Sequence, residues 1–524
     1  MQAGLTTLDA DARWPGHLAA VDMGSNSFRL EIGEVAQGRY RRIDYLKETV
    51  RLGAGLDAEG LLTDEAAARG LTCLGRFAQR LEGYLPQQVR VVATQTLREA
   101  RNRDLFLARA QHVLGLPIEV ISGREEARLI FAGVARLQPS QAPRLVVDIG
   151  GRSTEMILGR GTRPMRAESF QVGSVSLSMR YFGDGRFTEE GFRAAQIAAG
   201  AELEEALEPF AAGRWREALG SSGTVGAVAQ VLAASGASDG TVTAEGLRWL
   251  IGRCLEAGRV DKLALPGLKD DRRAVIGGGL AILYTLAMQF GIAALRPARG
   301  ALRQGVIFDL HERRRATAAR LGAHDIREES VRELQRRFGI DIAQADRVGG
   351  VARALFDAVL PSVSAEARRE LRWACALHEI GMMVSHHDHH RHSAYLLSHV
   401  DAAGFSQSQL RRIADLVLAQ RGGLRKVEAR LTQDDFAWQV LCLRLAVIHC
   451  HARGETGQAA IHLQRDGRTA RLGFAPGWSD DHPRTLHLLR EEVVAWVRGG
   501  LLTLKLGPLD AREDARAQVQ ALRA

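Results

Sequence analysis

The sequence predicts an α/β protein whose first half alternates strands with helices and whose second half is mainly helical, ending in a small α+β segment. Three observations carry this. Apolar runs at residues 18–21, 88–93 and 118–121 read as buried strands, with helical apolar spacing at 64–85 and 102–114 between them. From about residue 312 the pattern turns helical, as at 348–360 and 371–377. Near the end, runs at 461–463 and 470–474 flank Asp466-Gly467, a hairpin signal, before a helix at 483–497 and a strand at 501–506.

Along the chain, the strand at 18–21 runs into Asp22 and a Gly/Ser turn, after which Phe28, Leu30 and Ile32 alternate as a strand does. Residues 217–232 read as strand, Gly/Ser loop and helix. The uncharged stretch 274–295 has the length of a bilayer span. Gly277, Gly278 and Gly279 interrupt its start, and Gln289 and Gly291 follow a short apolar run, so a buried helix behind a glycine loop is expected. Boundaries near 137, 312 and 430 divide the chain into segments 1–137, 138–312, 313–430 and 431–524.

The chain has 524 residues, 46% hydrophobic and 25% charged, which excludes wholesale disorder. Lys+Arg of 70 against Asp+Glu of 61 leaves +9, and only five of the basic residues are lysines. Arginine forks suit phosphate and carboxylate oxygens, so the surplus is compatible with a polyanionic substrate, though general solubility explains it equally well. The basic residues are spread rather than gathered into a run interleaved with aromatics, so no specific nucleic-acid binding is expected. Cys73, Cys254, Cys375, Cys442 and Cys450 are scattered and never spaced Cys-x-x-Cys, which points to a reducing compartment. Residues 1–13 hold two acids and no apolar core, so no secretory leader and no membrane partner are expected, and the location is read as cytoplasmic.

The most informative feature is an internal repeat. AAVDMGSNSFRLEIG (19–33) and LVVDIGGRSTEMILG (145–159) each place Val-Asp at a strand end, then a Gly/Ser turn, then a second apolar strand. Small residues there let successive backbone N–H groups approach a phosphate with no Cβ in the way. Ser25, Asn26, Ser27, Ser153 and Thr154 add side-chain donors, and Asp22 and Asp148 are placed to hold a magnesium ion, which takes one or two carboxylates plus phosphate oxygens. The loop Ser222-Gly223-Thr224 before a helix is a further anion site. No Walker A motif competes, and the Gly-x-Ser-x-Gly string at 236–240 follows a helix, so it reads as a loop rather than a nucleophile elbow.

With VATQTLREA (92–100), ISGREEARLIFAGV (121–134), RLGAGL (51–56), GSSGT, LHEIG (377–381) and HRHSAYLL (390–397), these frames resemble the exopolyphosphatase / guanosine pentaphosphate phosphohydrolase (Ppx/GppA) family, and most of all its bacterial exopolyphosphatases. The resemblance runs in order over roughly residues 18–505. It implies two actin-like domains of the ASKHA, ribonuclease H-like superfold, then a helical HD-like domain and the small C-terminal domain. It also implies hydrolysis of a terminal phosphate with a divalent cation, Mg2+, as cofactor. Glu126 matches the family's catalytic base, and Asp148 and Glu155 match carboxylates associated with the metal, with Asp22 beside them. Ser25, Asn26, Ser27, Gly150, Gly151, Ser153, Ser222, Gly223 and Thr224 would line the phosphate cradle, and Arg98 and Arg51 would neutralise phosphate charge.

Two departures stand out. Arg152 occupies a position where the family has a glycine; it either adds a phosphate contact or obstructs the site, and a positive φ there would be strained. Ala298-Arg299 precedes Gly300 where a serine is commoner. In the helical half, seven of sixteen histidines lie between His378 and His399, yet an HD-type metal site lacks its His-Asp pair, since His378 is followed by Glu379. A structural role is expected there, with His378, His390, Arg391 and His392 candidates for a polymer channel when the histidines are protonated. His449, Cys450 and His451 read as core.

The function expected is an exopolyphosphatase acting on inorganic polyphosphate. The alternatives are a guanosine pentaphosphate 5′-phosphohydrolase yielding guanosine tetraphosphate, a weakly active sensor of either molecule, or an ATP-using kinase relative. The family also implies a homodimer.

Overall fold

In a computed structural model describing residues 13–318, 325–454, 460–499 and 502–507, the chain divides into two units, one ending at Asp325 and one starting at Ile326. The reading of residues 1–13 falls almost wholly outside the described residues, as does Leu501 at the start of the last expected strand.

The first unit contains two five-stranded sheets of the same design. The strands are β1 (His17–Met23), β2 (Phe28–Ala36), β3 (Arg39–Glu48), β4 (Val89–Ala93) and β5 (Ile118–Val120), then β6 (Arg144–Ile149), β7 (Thr154–Arg160), β8 (Arg163–Phe170), β9 (Glu217–Gly220) and β10 (Leu295–Pro297). Their orders are β3-β2-β1-β4-β5 and β8-β7-β6-β9-β10. In each, the first three strands run antiparallel and the last two are added in parallel through helical crossovers. The repeat seen in the sequence therefore extends to whole sheets. This is the α/β architecture the sequence predicts, in the actin-like form that the family resemblance implies.

Period-two alternation explains why the central strands read as continuous apolar runs. In β1, Ala19, Val21 and Met23 join one core while Leu18 and Ala20 join another. That second core also takes Val92, Val146, Ile157 and Leu219, so it lies between the sheets, filled by the helices Gly123–Leu137 and Leu302–Ala318. Those helices cross so closely that a Cβ on Gly305 would sit 1.8 Å from the Leu129 carbonyl oxygen, so only glycine fits.

The helix expected at 64–85 ends at Arg80, because Gly83 turns the chain at φ +84° ahead of Pro86. The apolar stretch at 274–295 holds a buried helix, Ile276–Gln289, and among the described residues no helix is long and apolar enough to cross a membrane. The strands β3 and β8, absent from the sequence reading, are edge strands rich in arginine and other charged residues.

The second unit is helical, with a small sheet formed by β11 (Ile461–Asp466), β12 (Thr469–Phe474) and β13 (Thr503–Leu506). A single apolar core joins Trp373, Trp438 and Trp496 of the helices to Phe405 and to Leu472 of the sheet. Within it, Arg444 forks onto Glu492 at 2.5 and 2.7 Å, and the Trp496 indole also donates to Glu492 at 2.6 Å. The five cysteines are free and buried.

Candidate active site

The two duplicated hairpins meet at their turns. Asp22 lies next to the last residue of β1, and Asp148 stands directly opposite Glu155 in the β6–β7 register. A Cβ on Gly151 would lie 3.2 Å from Ser25 Cβ and 3.7 Å from the Asn26 nitrogen, so glycine there permits the close approach of the two turns. Between them is a cleft of about 360 Å³. Its walls include Asp22, Ser25, Asn26, Ser27, Glu126, Asp148, Gly150, Gly151, Ser153, Ser222, Gly223 and Thr224.

Most hydroxyls in the cleft are already oriented. The Thr96 hydroxyl donates to Ser25 Oγ at 2.8 Å, leaving the Ser25 proton to donate elsewhere. Thr224 Oγ1 donates to the Ile149 carbonyl at 3.0 Å, and Ser222 Oγ accepts from Val225 N as the N-cap of the helix Gly223–Ala234. Ser27 is different: its hydroxyl is buried, lines the cleft and has no hydrogen-bond partner. An orphaned buried hydroxyl costs free energy unless a ligand oxygen satisfies it.

Glu126 enters from the first turn of the helix Gly123–Leu137, which Ser122 caps. Burial lifts its carboxyl from an ordinary 4.5 to about 6; Arg98 opposes this and the charges of Asp22 and Asp148 add to it. Burial likewise raises Asp148, against a hydrogen bond from Ser221. Glu155, 1% exposed, is pushed well above the ordinary range by burial and then by Glu126 and Asp148. It stands one layer behind the cleft wall and accepts from Ser169 Oγ at 2.8 Å.

Of the arginines expected to meet phosphate, Arg98 and Arg152 have side-chain partners of their own. Arg98 donates to Glu126 Oε2 at 2.8 Å, to the Ile121 carbonyl at 3.0 Å and twice to Gln95, so it orients the glutamate. Arg152 donates to Glu99 at 2.7 Å and to the Gly53 carbonyl, and it is not among the residues with positive φ, so the strain considered for it is absent. Arg51 does adopt a positive φ, 53°, and is exposed, its N–H donating to the Asn26 carbonyl. Sequence reasoning missed the cations that do line the cleft: Arg29, Lys47, Arg272 and Arg303. Lys47 Nζ meets Asp271 at 2.9 Å, and a Cβ on Gly223 would collide with the Arg272 guanidinium at 2.4 Å.

In the second unit, His378 is buried with Nδ1 2.7 Å from the Cys375 carbonyl, and burial lowers both His378 and His390 to about 4. They carry no charge near neutral pH, whereas Arg391 is exposed and faces Asp388 at 3.6 Å, and His392 is half-buried.

Among the described residues, no group of three or more His, Cys, Asp and Glu forms a cage for a metal ion. Magnesium does not require one: two carboxylates with room for phosphate oxygens and water suffice. Asp22 and Asp148 both face the cleft and both push the Glu126 carboxyl up, a concentration of negative charge that a divalent cation would relieve. The donor set fits the ion.

The sequence model of the Ppx/GppA phosphatase family matches residues 32–314, and that of the family's domain III matches residues 326–493. A solved exopolyphosphatase from Cytophaga hutchinsonii is 24% identical over 56% of this chain and 97% of its own, with a TM-score of 0.52, a likeness of fold. A solved Ppx/GppA enzyme from Aquifex aeolicus is 25% identical over 56% of this chain and 98% of its own, with a TM-score of 0.48.

Proposed function

Since the chain belongs to the Ppx/GppA phosphatase family, we propose that it is an exopolyphosphatase, removing the terminal phosphate of inorganic polyphosphate. The observation that carries this is one cleft in which two glycine-serine turns, an orphaned Ser27 hydroxyl and a raised, oriented Glu126 converge. The turn amides and Ser27 bind the oxygens of the terminal phosphate. Glu126, held by Arg98, takes the proton of the attacking water as the new P–O bond forms. The electron pair of the broken anhydride bond leaves on the shortened chain. Asp22 and Asp148, with Glu155 behind them, would hold Mg2+, which neutralises charge on the phosphate oxygens when bound.

Tyr45 favours the guanosine pentaphosphate alternative, because its ring lies in the cleft wall and is 37% exposed, a surface on which a base stacks. Two guanidinium groups already lie over that ring, Arg303 at 5.3 Å and Arg42 at 5.6 Å, so we favour the polymer. The test is phosphate release from long-chain polyphosphate, guanosine pentaphosphate and ATP, each with and without magnesium. Magnesium-dependent release, fastest from polyphosphate, is expected. Faster release from the nucleotide would transfer the proposal to the alternative, and binding without release would make the protein a sensor.

A further inference from the structure

A buried assembly centred on Glu31 lies behind the cleft. Glu31, in the middle of β2, is 0% exposed and accepts three donors: the Tyr40 hydroxyl from β3, Gln304 Nε2 at 2.6 Å and Arg303 Nε at 3.1 Å. Burying a carboxylate this deeply is costly unless a cation and several hydrogen bonds meet it. Gln304 also accepts from Ala301 N at 2.9 Å, fixing the start of the helix Leu302–Ala318 that presents Arg303. The arginine is thus gripped at Nε from behind, while its guanidinium lies over the Tyr45 ring.

Its other side faces the cleft. The contact from Arg303 Nη1 to Asp22 Oδ2 is 3.4 Å, longer than a good charge-assisted bond. Arg98 and Arg152 point their forks at Glu126 and Glu99 instead. Among the described residues, Arg29, 3.6 Å from Asp22, has no comparable buried anchor.

We propose that Arg303 is a further catalytic residue, donating from its terminal nitrogens to the phosphoryl group under attack, and that Glu31 is its positioning residue. This rests on the phosphate-hydrolase reading of the cleft. As water attacks phosphorus and the anhydride bond breaks, Glu126 takes the proton and the leaving oxygen takes the electron pair. Arg303 neutralises the charge on the phosphoryl oxygens and exchanges no proton. A cation supplied by the chain itself in this role is worth ~10³–10⁵ in rate.

The test uses the full-length protein with tripolyphosphate and long-chain polyphosphate, measuring phosphate release and, in parallel, equilibrium binding of tripolyphosphate. Arg303→Ala is expected to lose ~10³-fold or more in kcat, and guanidinium chloride added below denaturing concentrations should restore part of the activity. Arg303→Lys keeps the charge but loses the fork and its anchor, so it should stay at least about tenfold down. Glu31→Gln tests the anchor. Should that variant not fold, Tyr40→Phe loosens Glu31 more gently, with kcat expected to fall about tenfold and KM to hold. Arg303→Ala activity within threefold of wild type, or a loss that guanidinium leaves untouched, overturns the proposal. If wild type binds tripolyphosphate but hydrolyses neither substrate, the hydrolase reading fails separately. Arg303 is then judged on binding: weakening in Arg303→Ala that guanidinium repairs supports the contact, and unchanged affinity refutes it.

Discussion

Replacing Glu126 by glutamine keeps the side chain's shape and its acceptor for Arg98 while removing the proton acceptor. The structure sets two expectations. In rate, loss of a positioned general base costs ~10²–10⁴, and because Glu126 Oε2 receives Arg98 Nη1 at 2.8 Å, the carboxamide oxygen should keep that bond. In stability, the sign is opposite. The folded protein raises this carboxyl from 4.5 to about 6, so its contribution is fully present below pH 4.5 and lost as pH rises through 6. That shift corresponds to on the order of 2 kcal/mol at pH 8, a cost glutamine avoids. The assays are phosphate release under saturating polyphosphate and thermal unfolding at pH 5 and pH 8. A slow enzyme, at least as stable as wild type at pH 8, is expected. Activity within threefold of wild type would remove Glu126 from its role, and a variant that is inactive because it is unfolded at both pH values would refute the reasoning on charge.

The rate profile should show an acid limb near pH 6, since Glu126 works deprotonated; added magnesium, by neutralising Asp22 and Asp148, should move the limb to lower pH, and a limb that stays fixed as magnesium rises would contradict their proximity. Ser27→Ala should leave the ligand-free protein as stable as wild type or slightly more so, because the hydroxyl it removes is unpaired, yet raise KM by ~10-fold or more through a lost bond to charged phosphate, as steady-state kinetics would show. Glu155→Gln should stabilise the ligand-free protein increasingly as pH rises from 5 to 8, because burial raises this acid and its stabilising contribution is lost on ionisation. The same variant should need more magnesium for half-maximal activity; thermal unfolding and a magnesium titration test the two statements.

How much of this was legible in the sequence depended on burial. The strands β1 and β6 are covered on both faces, so they announced themselves as apolar runs ending in Val-Asp, and their duplication marked the turns that meet at Gly151 and Ser25. The edge strands β3 and β8 left no such trace, because strands with a solvent face carry charges in place of an apolar pattern. Glu126 stood out only by resemblance, since acids in a first helical turn are ordinary; what distinguishes it is burial beside Asp22 and Asp148, a property of three separate segments. The cleft cations were hidden for a different reason. In a chain this rich in arginine, single residues such as Arg29, Arg272 and Arg303 carry no local signal. One clue existed for Arg303: it opens a helix directly after the glycine-containing loop that follows β10, the position that Ser222 and Gly223 occupy after β9. Conversely, sequence does not reveal that the Arg98 and Arg152 guanidinium groups meet Glu126 and Glu99.

The most direct test of the central claim is a crystal structure with magnesium and a polyphosphate analogue whose bridging oxygens are replaced by imido groups. The terminal phosphate is expected between residues 24–27 and 150–153, with one oxygen on the Ser27 hydroxyl and the Glu126 carboxylate facing its phosphorus. Analogue bound elsewhere, with that cleft filled only by solvent, would contradict it.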